Sequence, residues 1–155
     1  MAYTIDRAGG QQIAETSTVK NCPLGTIVKG WDPTYGEGEF IYLQGIGSTV
    51  IGSIVQYDAN FLTALETTAL ATPKPNAVAM SANVANQYGW YQIKGKAVGK
   101  VLTGYVDNAL VYSTATAGSV DDAVVAGDRV KNAKGASAIG TPSAGLAEFE
   151  IDRPF

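Results

Sequence analysis

Short apolar runs alternate with turn residues along most of this chain, from Leu24 onward. A turn residue followed directly by such a run occurs four times, at Gly25–Val28, Gly52–Val55, Asn108–Val111 and Gly127–Val130. Runs of this length between turn residues are typical of β-strands. The pattern predicts strands at Thr26–Lys29, Glu39–Leu43, Val50–Tyr57, Phe61–Leu65, Ala77–Ser81, Gly89–Ile93, Ala97–Leu102, Ala109–Ser113, Arg129–Asn132 and Leu146–Ile151.

The alternation of apolar and polar positions is clearest in the last of these strands. Ala147, Phe149 and Ile151 share one face, and the intervening glutamates share the other. A strand with this period has one buried and one solvated face. Many short strands separated by turns favour an all-β domain, a small β-barrel or a jelly-roll-like sandwich.

Two connections between the predicted strands have sequence patterns that predict their local structure. Tyr57–Phe61 predicts a hairpin, because its Asp and Asn tolerate the left-handed conformation of tight turns. Leu65–Leu70 could form a helical turn, which Pro73 and Pro75 would stop.

The first 22 residues are polar, mixed in character and weakly periodic. Gly9 and Gly10 interrupt any helix, and the stretch shows no face that would be buried. We expect an extended N-terminal arm over residues 1–22, paired with a sheet edge or a neighbouring subunit, with a disordered terminus as the alternative. Residues 23–155 are then expected to form a single β domain.

Charge is sparse in this chain. Of its 155 residues, 16% are charged, below the typical level of about 25%, and 46% are hydrophobic. The net charge is −3 and the 11 basic residues are scattered, which disfavours nucleic acid as a partner. No apolar run approaches the roughly 20 residues that span a bilayer, and Met1–Arg7 is typical of a mature cytosolic start, so no membrane partner is expected.

The sequence also lacks the residue patterns that usually carry catalysis. It has no histidine, which excludes Ser-His-Asp triads and His-based zinc sites, and Cys22 is expected to be a small residue in or near the core. Gly45–Gly52 has neither the dinucleotide nor the P-loop spacing. Three pairs of carboxylates would suit a glycosidase, although such pairs are more often solvated strand faces: Glu37 with Glu39, Asp121 with Asp122, and Glu148 with Glu150. Asp121 with Asp122 would also suit a calcium site, but without the EF-hand spacing. We therefore expect no enzyme activity, cofactor or metal.

Aromatic residues are the more suggestive feature. Trp31 and Tyr35 lie in the turn-rich segment Trp31–Gly38, which predicts a loop and hence rings near a surface. For three other rings, Phe40, Trp90 and Tyr91, anchoring of the barrel core is favoured at least as much as a contact role.

Four stretches together resemble a known family: Ala77–Gly95, Ala97–Val101, Thr114–Val130 and Gly145–Phe155. The pattern resembles the capsid decoration (cement) proteins of tailed bacteriophages over roughly residues 38–155. The resemblance implies a β-barrel or jelly-roll-like protein, made in the host cytoplasm, on the outer surface of the virion capsid. It further implies binding where major capsid subunits meet, and a homo-oligomer, with a trimer favoured and a dimer possible. The family has no catalytic residues to carry over.

Five residues are candidates for contact with the capsid or another subunit. Tyr3, Ile5 and Arg7 belong to the arm, in which Tyr3 and Ile5 alternate on one side as strand addition requires. Trp31 and Tyr35 complete the set. The competing hypothesis is a carbohydrate-binding or adhesive β module of a virion, in which Trp31 and Tyr35 would stack on sugar rings. An enzyme that uses the paired carboxylates ranks third.

Overall fold

Two curled antiparallel sheets share one long strand in this protein. The structure is a computed structural model that describes residues 3–5, 11–70 and 75–152, and these residues form strands and turns without a helix. The strands are β1 (Thr4–Ile5), β2 (Thr16–Ser17), β3 (Ile27–Asp32), β4 (Gly36–Gln44), β5 (Ile54–Tyr57), β6 (Thr63–Leu65), β7 (Asn76–Ala79), β8 (Tyr88–Lys100), β9 (Leu110–Ser113), β10 (Val120–Asp121), β11 (Arg129–Gly135) and β12 (Leu146–Ile151).

Strand β8 is the shared strand, and its two halves belong to different sheets. Its first half pairs with β4 and β7, and its second half pairs with β12 from Gly95 to Lys100. The main path of hydrogen-bonded neighbours is β1-β3-β4-β8-β12-β11-β9-β10. Outside this path, β7 pairs with β8, β5 pairs with β7, and β6 pairs with β5. Isolated parallel bridges join Gln44 to Leu62 and Val101 to Val120. The prediction of an all-β, barrel-like fold is confirmed.

The buried side chains form three clusters. The first fills the sheet of β8–β12 and includes Phe149, Val111 and Val130. The second lies inside the sheet of β4–β8 and includes Leu43 and Tyr91. The third covers the outer face of β4 and β8 and contains Tyr3, Ile13, Phe40, Tyr42, Met80 and Trp90. Phe40, Trp90 and Tyr91 are therefore core residues, which decides between the two alternatives that the sequence leaves open for these rings.

The passage of β8 from one sheet to the other takes place at Gly95. The pairing of β4 with β8 shifts by one residue between Glu39 and Phe40, and Gly95 follows with φ at +105°. A bulge and a left-handed residue together turn the strand. The predicted separate strands Gly89–Ile93 and Ala97–Leu102 are therefore wrong, because the chain bends here and continues as one strand, β8.

Other strand predictions differ at their ends. The range Leu146–Ile151 is observed as predicted, with Ala147, Phe149 and Ile151 buried. The predicted Val50–Tyr57 is too long, since β5 begins only at Ile54 after a turn.

The predicted hairpin after β5 is confirmed, with Tyr57 opposite Thr63. The Asp58 carboxylate accepts the backbone N–H groups of Asn60 and Leu62 at 2.8 and 3.1 Å. The left-handed residue is Phe61, with φ at +63°, rather than the Asp or the Asn. No helical turn follows over Leu65–Leu70, since its first residue still belongs to β6 and the remainder forms turns and bends.

The described part of the N-terminal region packs on the body of the protein. Strand β1 pairs antiparallel with β3, as a sheet-edge arm would. Gln11 and Ile13 are buried, with exposed fractions of 5% and 4%. The expectation that residues 1–22 lack a buried face is therefore wrong, because the outer face of β4 and β8 offers rings that these residues cover.

Buried tyrosines predict a steep loss of stability at alkaline pH. Burial raises the pKa of Tyr3, Tyr42, Tyr57, Tyr91 and Tyr105 above the usual tyrosine value of about 10. Above about pH 10 the unfolded chain loses phenol protons that the folded chain keeps, so stability is fully present below that pH and falls as pH rises further. Tyrosinate absorbance and circular dichroism recorded across this range should change together.

Tyr57→Phe is the sharpest control for this prediction, because burial is the one cause of the raised pKa at that residue. The variant should unfold at a higher pH than the wild type. An unchanged alkaline midpoint would contradict the assignment.

Candidate interaction groove

An open groove of about 400 Å³ lies on the outer face of the protein, above the third core cluster. Residues from seven separate parts of the chain line it, among them Tyr3, Ile13, Tyr35, Ile51, Met80 and Leu146. We call this surface the aromatic groove. Its lining is largely apolar, and Met80 contributes a flexible side chain of the kind that adapts to irregular partners.

Tyr35 reaches the groove from the short turn between β3 and β4. The buried carboxylate of Asp32 accepts the backbone N–H groups of Thr34 and Tyr35 at 2.7 and 2.9 Å. An aspartate that caps its own turn in this way fixes the backbone of the residues that follow. The position of Tyr35 is thus set by a local hydrogen-bonded turn.

A charge pair lies beside the Tyr35 ring. The Lys96 ammonium is 5.7 Å from the ring centroid and 2.6 Å from a carboxylate oxygen of Glu148. The hydrogen bond to Glu148 is the main cause that raises the pKa of Lys96. Burial, and next the Glu148 charge, raise the pKa of Tyr35. At neutral pH this edge of the groove therefore presents a neutral phenol next to a paired cation.

Tyr3 forms part of the groove floor. Its ring meets Phe40 edge to face at 4.8 Å, and its hydroxyl donates to the Lys96 carbonyl at 3.2 Å. The Gln92 side-chain amide donates to the same hydroxyl at 3.4 Å. Only 8% of Tyr3 is exposed, so most of this side chain is used in packing within the chain.

The structure brings together two of the five residues predicted for contact, Tyr3 and Tyr35. Trp31 is 59% exposed, and it lies within β3 rather than in a loop, so the predicted loop is wrong at this residue. By strand alternation it projects from the face opposite Val28, which packs beneath the groove. Ile5 pairs through its backbone with Gly30, and Arg7 lies outside the described residues.

Sequence reasoning missed the other side chains of the aromatic groove, notably Ile13, Ile51, Met80 and Leu146. Ile51 is 62% exposed in a turn with Gly52, whereas the sequence pattern places it within the predicted strand Val50–Tyr57. The rest depend on contacts between distant segments, which no local pattern encodes.

A second, more open groove of about 780 Å³ separates the ends of the two sheets. We call it the charged groove, since its lining includes Lys29, Glu37, Glu39, Lys94, Arg129, Lys131, Lys134, Glu150 and Asp152. Lys29 pairs with Glu37 at 3.7 Å, and Lys94 pairs with Glu39 and Asp152 at 3.9 and 3.8 Å. Trp31 lies on the same face of β3 as Lys29, which is one of the residues that line this groove.

Two other kinds of feature are absent from the part of the chain that the structure describes. Among residues 3–5, 11–70 and 75–152, no three acidic or cysteine side chains converge in a way that could hold a metal ion. The same residues form no helix long and apolar enough to cross a membrane.

Comparisons of the chain with protein-family models, with curated proteins and with solved structures find no match. Function is therefore inferred from the resemblance of the sequence stretches and from the geometry of the chain itself.

Proposed function

We propose that this protein is a capsid decoration protein of a tailed bacteriophage. It binds the outer surface of the phage head at junctions between major capsid subunits and stabilises the mature shell. The resemblance of residues 38–155 to that family supports the proposal, as does an all-β body that carries few charges. The observation that carries it furthest is the aromatic groove, a concave apolar surface built from rigid strands and tight turns.

The chemistry of the aromatic groove suits a protein partner. Tyrosine and methionine are enriched at the centres of protein interfaces, where a large apolar surface meets a few polar atoms. Tyr35 supplies such a ring, and its backbone is already fixed by Asp32 before binding. A fixed anchor loses little conformational entropy when the partner arrives.

Stabilisation of the shell follows from binding at a junction. A ligand that binds only the assembled, expanded lattice shifts the equilibrium towards that lattice by mass action. An oligomer that touches several subunits needs only modest affinity at each contact, because the later contacts form at high effective concentration.

The decisive experiment is co-sedimentation of the purified protein with expanded, undecorated phage heads, with unexpanded proheads alongside. We expect saturable binding to expanded heads alone. Ile51→Glu places a charge in the aromatic groove and should weaken this binding at least about tenfold, which corresponds to about 1.4 kcal/mol. Val50→Glu is the matched control, since Val50 is also exposed, beside Ile51 in the chain, and is not part of the groove lining. Absence of binding to heads of the matching phage would contradict the proposal.

The exposure of Trp31 favours a second candidate function, carbohydrate binding or adhesion by a virion module. Its indole is 59% exposed, and Glu37 lies directly opposite on β4 as a hydrogen-bond acceptor for hydroxyl groups. This candidate predicts glycan binding by the isolated protein that Trp31→Ala abolishes. The decoration role predicts that Trp31→Ala leaves head binding through the aromatic groove intact.

A further inference from the structure

One wall of the charged groove consists of β11, where Arg129, Lys131 and Lys134 are exposed. The facing acids Glu37 and Glu39 are already paired with lysines. Across the described part of the chain, none of the three β11 cations forms a salt bridge, although Lys134 lies opposite Glu150 in the strand register. Arg129 and Lys131 are thus available to an anionic partner.

The segments that precede β9 and β11 form an exposed surface that carries both carboxylates and apolar side chains. Residues 102–109 and 121–128 contain four aspartates and neither lysine nor arginine. A hydrogen bond from the Val106 N–H to the Asp122 carboxylate, 3.1 Å long, joins the two loops. We call this surface the acidic knob and define it by Val106, Asp107, Asp121, Asp122 and Val124.

The knob has the character of a contact surface. Val124 is 78% exposed and Val106 is 54% exposed; Asp107 follows Val106 directly, and Asp122 lies two residues before Val124. Burial, together with the neighbouring Asp122, raises the pKa of Asp121, so an approaching cation would relieve an existing electrostatic cost. The charged groove offers the matching features, two available cations and the exposed side chain of Leu110.

We propose that the acidic knob of one copy of this chain docks in the charged groove of a second copy. Val124 packs near Leu110, and the knob carboxylates face Arg129 and Lys131. Because knob and groove are different surfaces, the contact is head-to-tail and generates a closed ring or an open chain of copies. The inference goes beyond the proposed function, since it concerns copies free in solution.

Sedimentation equilibrium over a range of protein concentrations tests this contact. Wild-type protein should associate, and Arg129→Glu with Lys131→Glu should weaken association by more than about a hundredfold, because like charges would then face each other. Lys20→Glu with Lys100→Glu makes the same change in net charge outside both surfaces and should associate like the wild type. Thermal melts followed by circular dichroism show that each variant is folded.

A charge exchange provides the second arm of the test. Asp107→Lys with Asp121→Lys reverses the charge at two of the three knob carboxylates, leaves Val124 in place and should also abolish association. Combining all four changes in one chain should restore it, since the opposite charges meet again with their signs exchanged. A monomeric wild type, equal weakening by the Lys20 and Lys100 control, or failure of the combined chain to associate would each overturn the proposal. Head binding is measured separately, so either proposal can fail alone.

Discussion

Replacing Gly95 by alanine is expected to lower the free energy of unfolding by about 3–5 kcal/mol, a large effect for the addition of one methyl group. A Cβ at this residue would lie 2.6 Å from the Glu37 carbonyl oxygen and 3.2 Å from the Gly38 Cα. Both atoms belong to the backbone of β4, so no side chain can rotate away. The φ of +105° adds strain that any L-residue would feel.

Gly104→Ala separates the two causes. Gly104 has a similar φ of +98°, but no atom lies within 4 Å of the position that a Cβ would take, so only the backbone strain of about 1–2 kcal/mol is expected. Urea unfolding of both variants gives the comparison. An equal loss of unfolding free energy in the two variants would show that the close approach of β4 to Gly95 does not contribute to the effect.

Gln11→Ala is expected to cost about 2–4 kcal/mol and to release the segment that covers the outer face. The Gln11 amide donates to the carbonyls of Glu15 and Tyr88 at 2.6 and 2.7 Å. Its side-chain oxygen accepts from the Tyr42 hydroxyl at 2.7 Å and from the Asn21 amide at 3.1 Å. Truncation removes all four bonds and leaves the hydroxyl of the fully buried Tyr42 without its acceptor.

Hydrogen exchange of residues 11–22, together with thermal unfolding, measures this effect. Exchange in the segment should accelerate, while β12 and its neighbours stay protected. Gln12→Ala is the matched control, because Gln12 is exposed and should change stability by less than about 0.5 kcal/mol. Equal behaviour of the two variants would contradict the role assigned to the Gln11 side chain.

Loosening of residues 11–22 would also change the aromatic groove. Ile13 lines the groove, and the backbone carbonyl of Gln11 accepts the Trp90 indole N–H at 2.7 Å. We therefore expect Gln11→Ala to weaken head binding as well, through loss of a preformed surface rather than loss of a direct contact.

Local periodicity determined the strands that have one buried and one solvated face. Leu146–Ile151 is predictable to the residue because apolar and polar positions alternate along it, and side chains in a strand must alternate between faces. The hairpin after β5 is also predictable, since Asp58 organises its turn through bonds to residues at most four positions away. The all-β class, the scarcity of charge and the absence of histidine follow from the sequence alone.

Only the tertiary structure decided how these strands are shared and what covers them. Strand β8 runs through Gly95, where the β4 backbone comes close to it. The sequence pattern alone predicts a gap between two strands at this residue. Gln11 is buried by a contact with Trp90, 79 residues away, and the polar character of the arm hides that contact. Both grooves combine side chains from segments that local patterns treat as unrelated. A local pattern determines which face of a strand is buried, but the partner of that face depends on where distant parts of the chain meet.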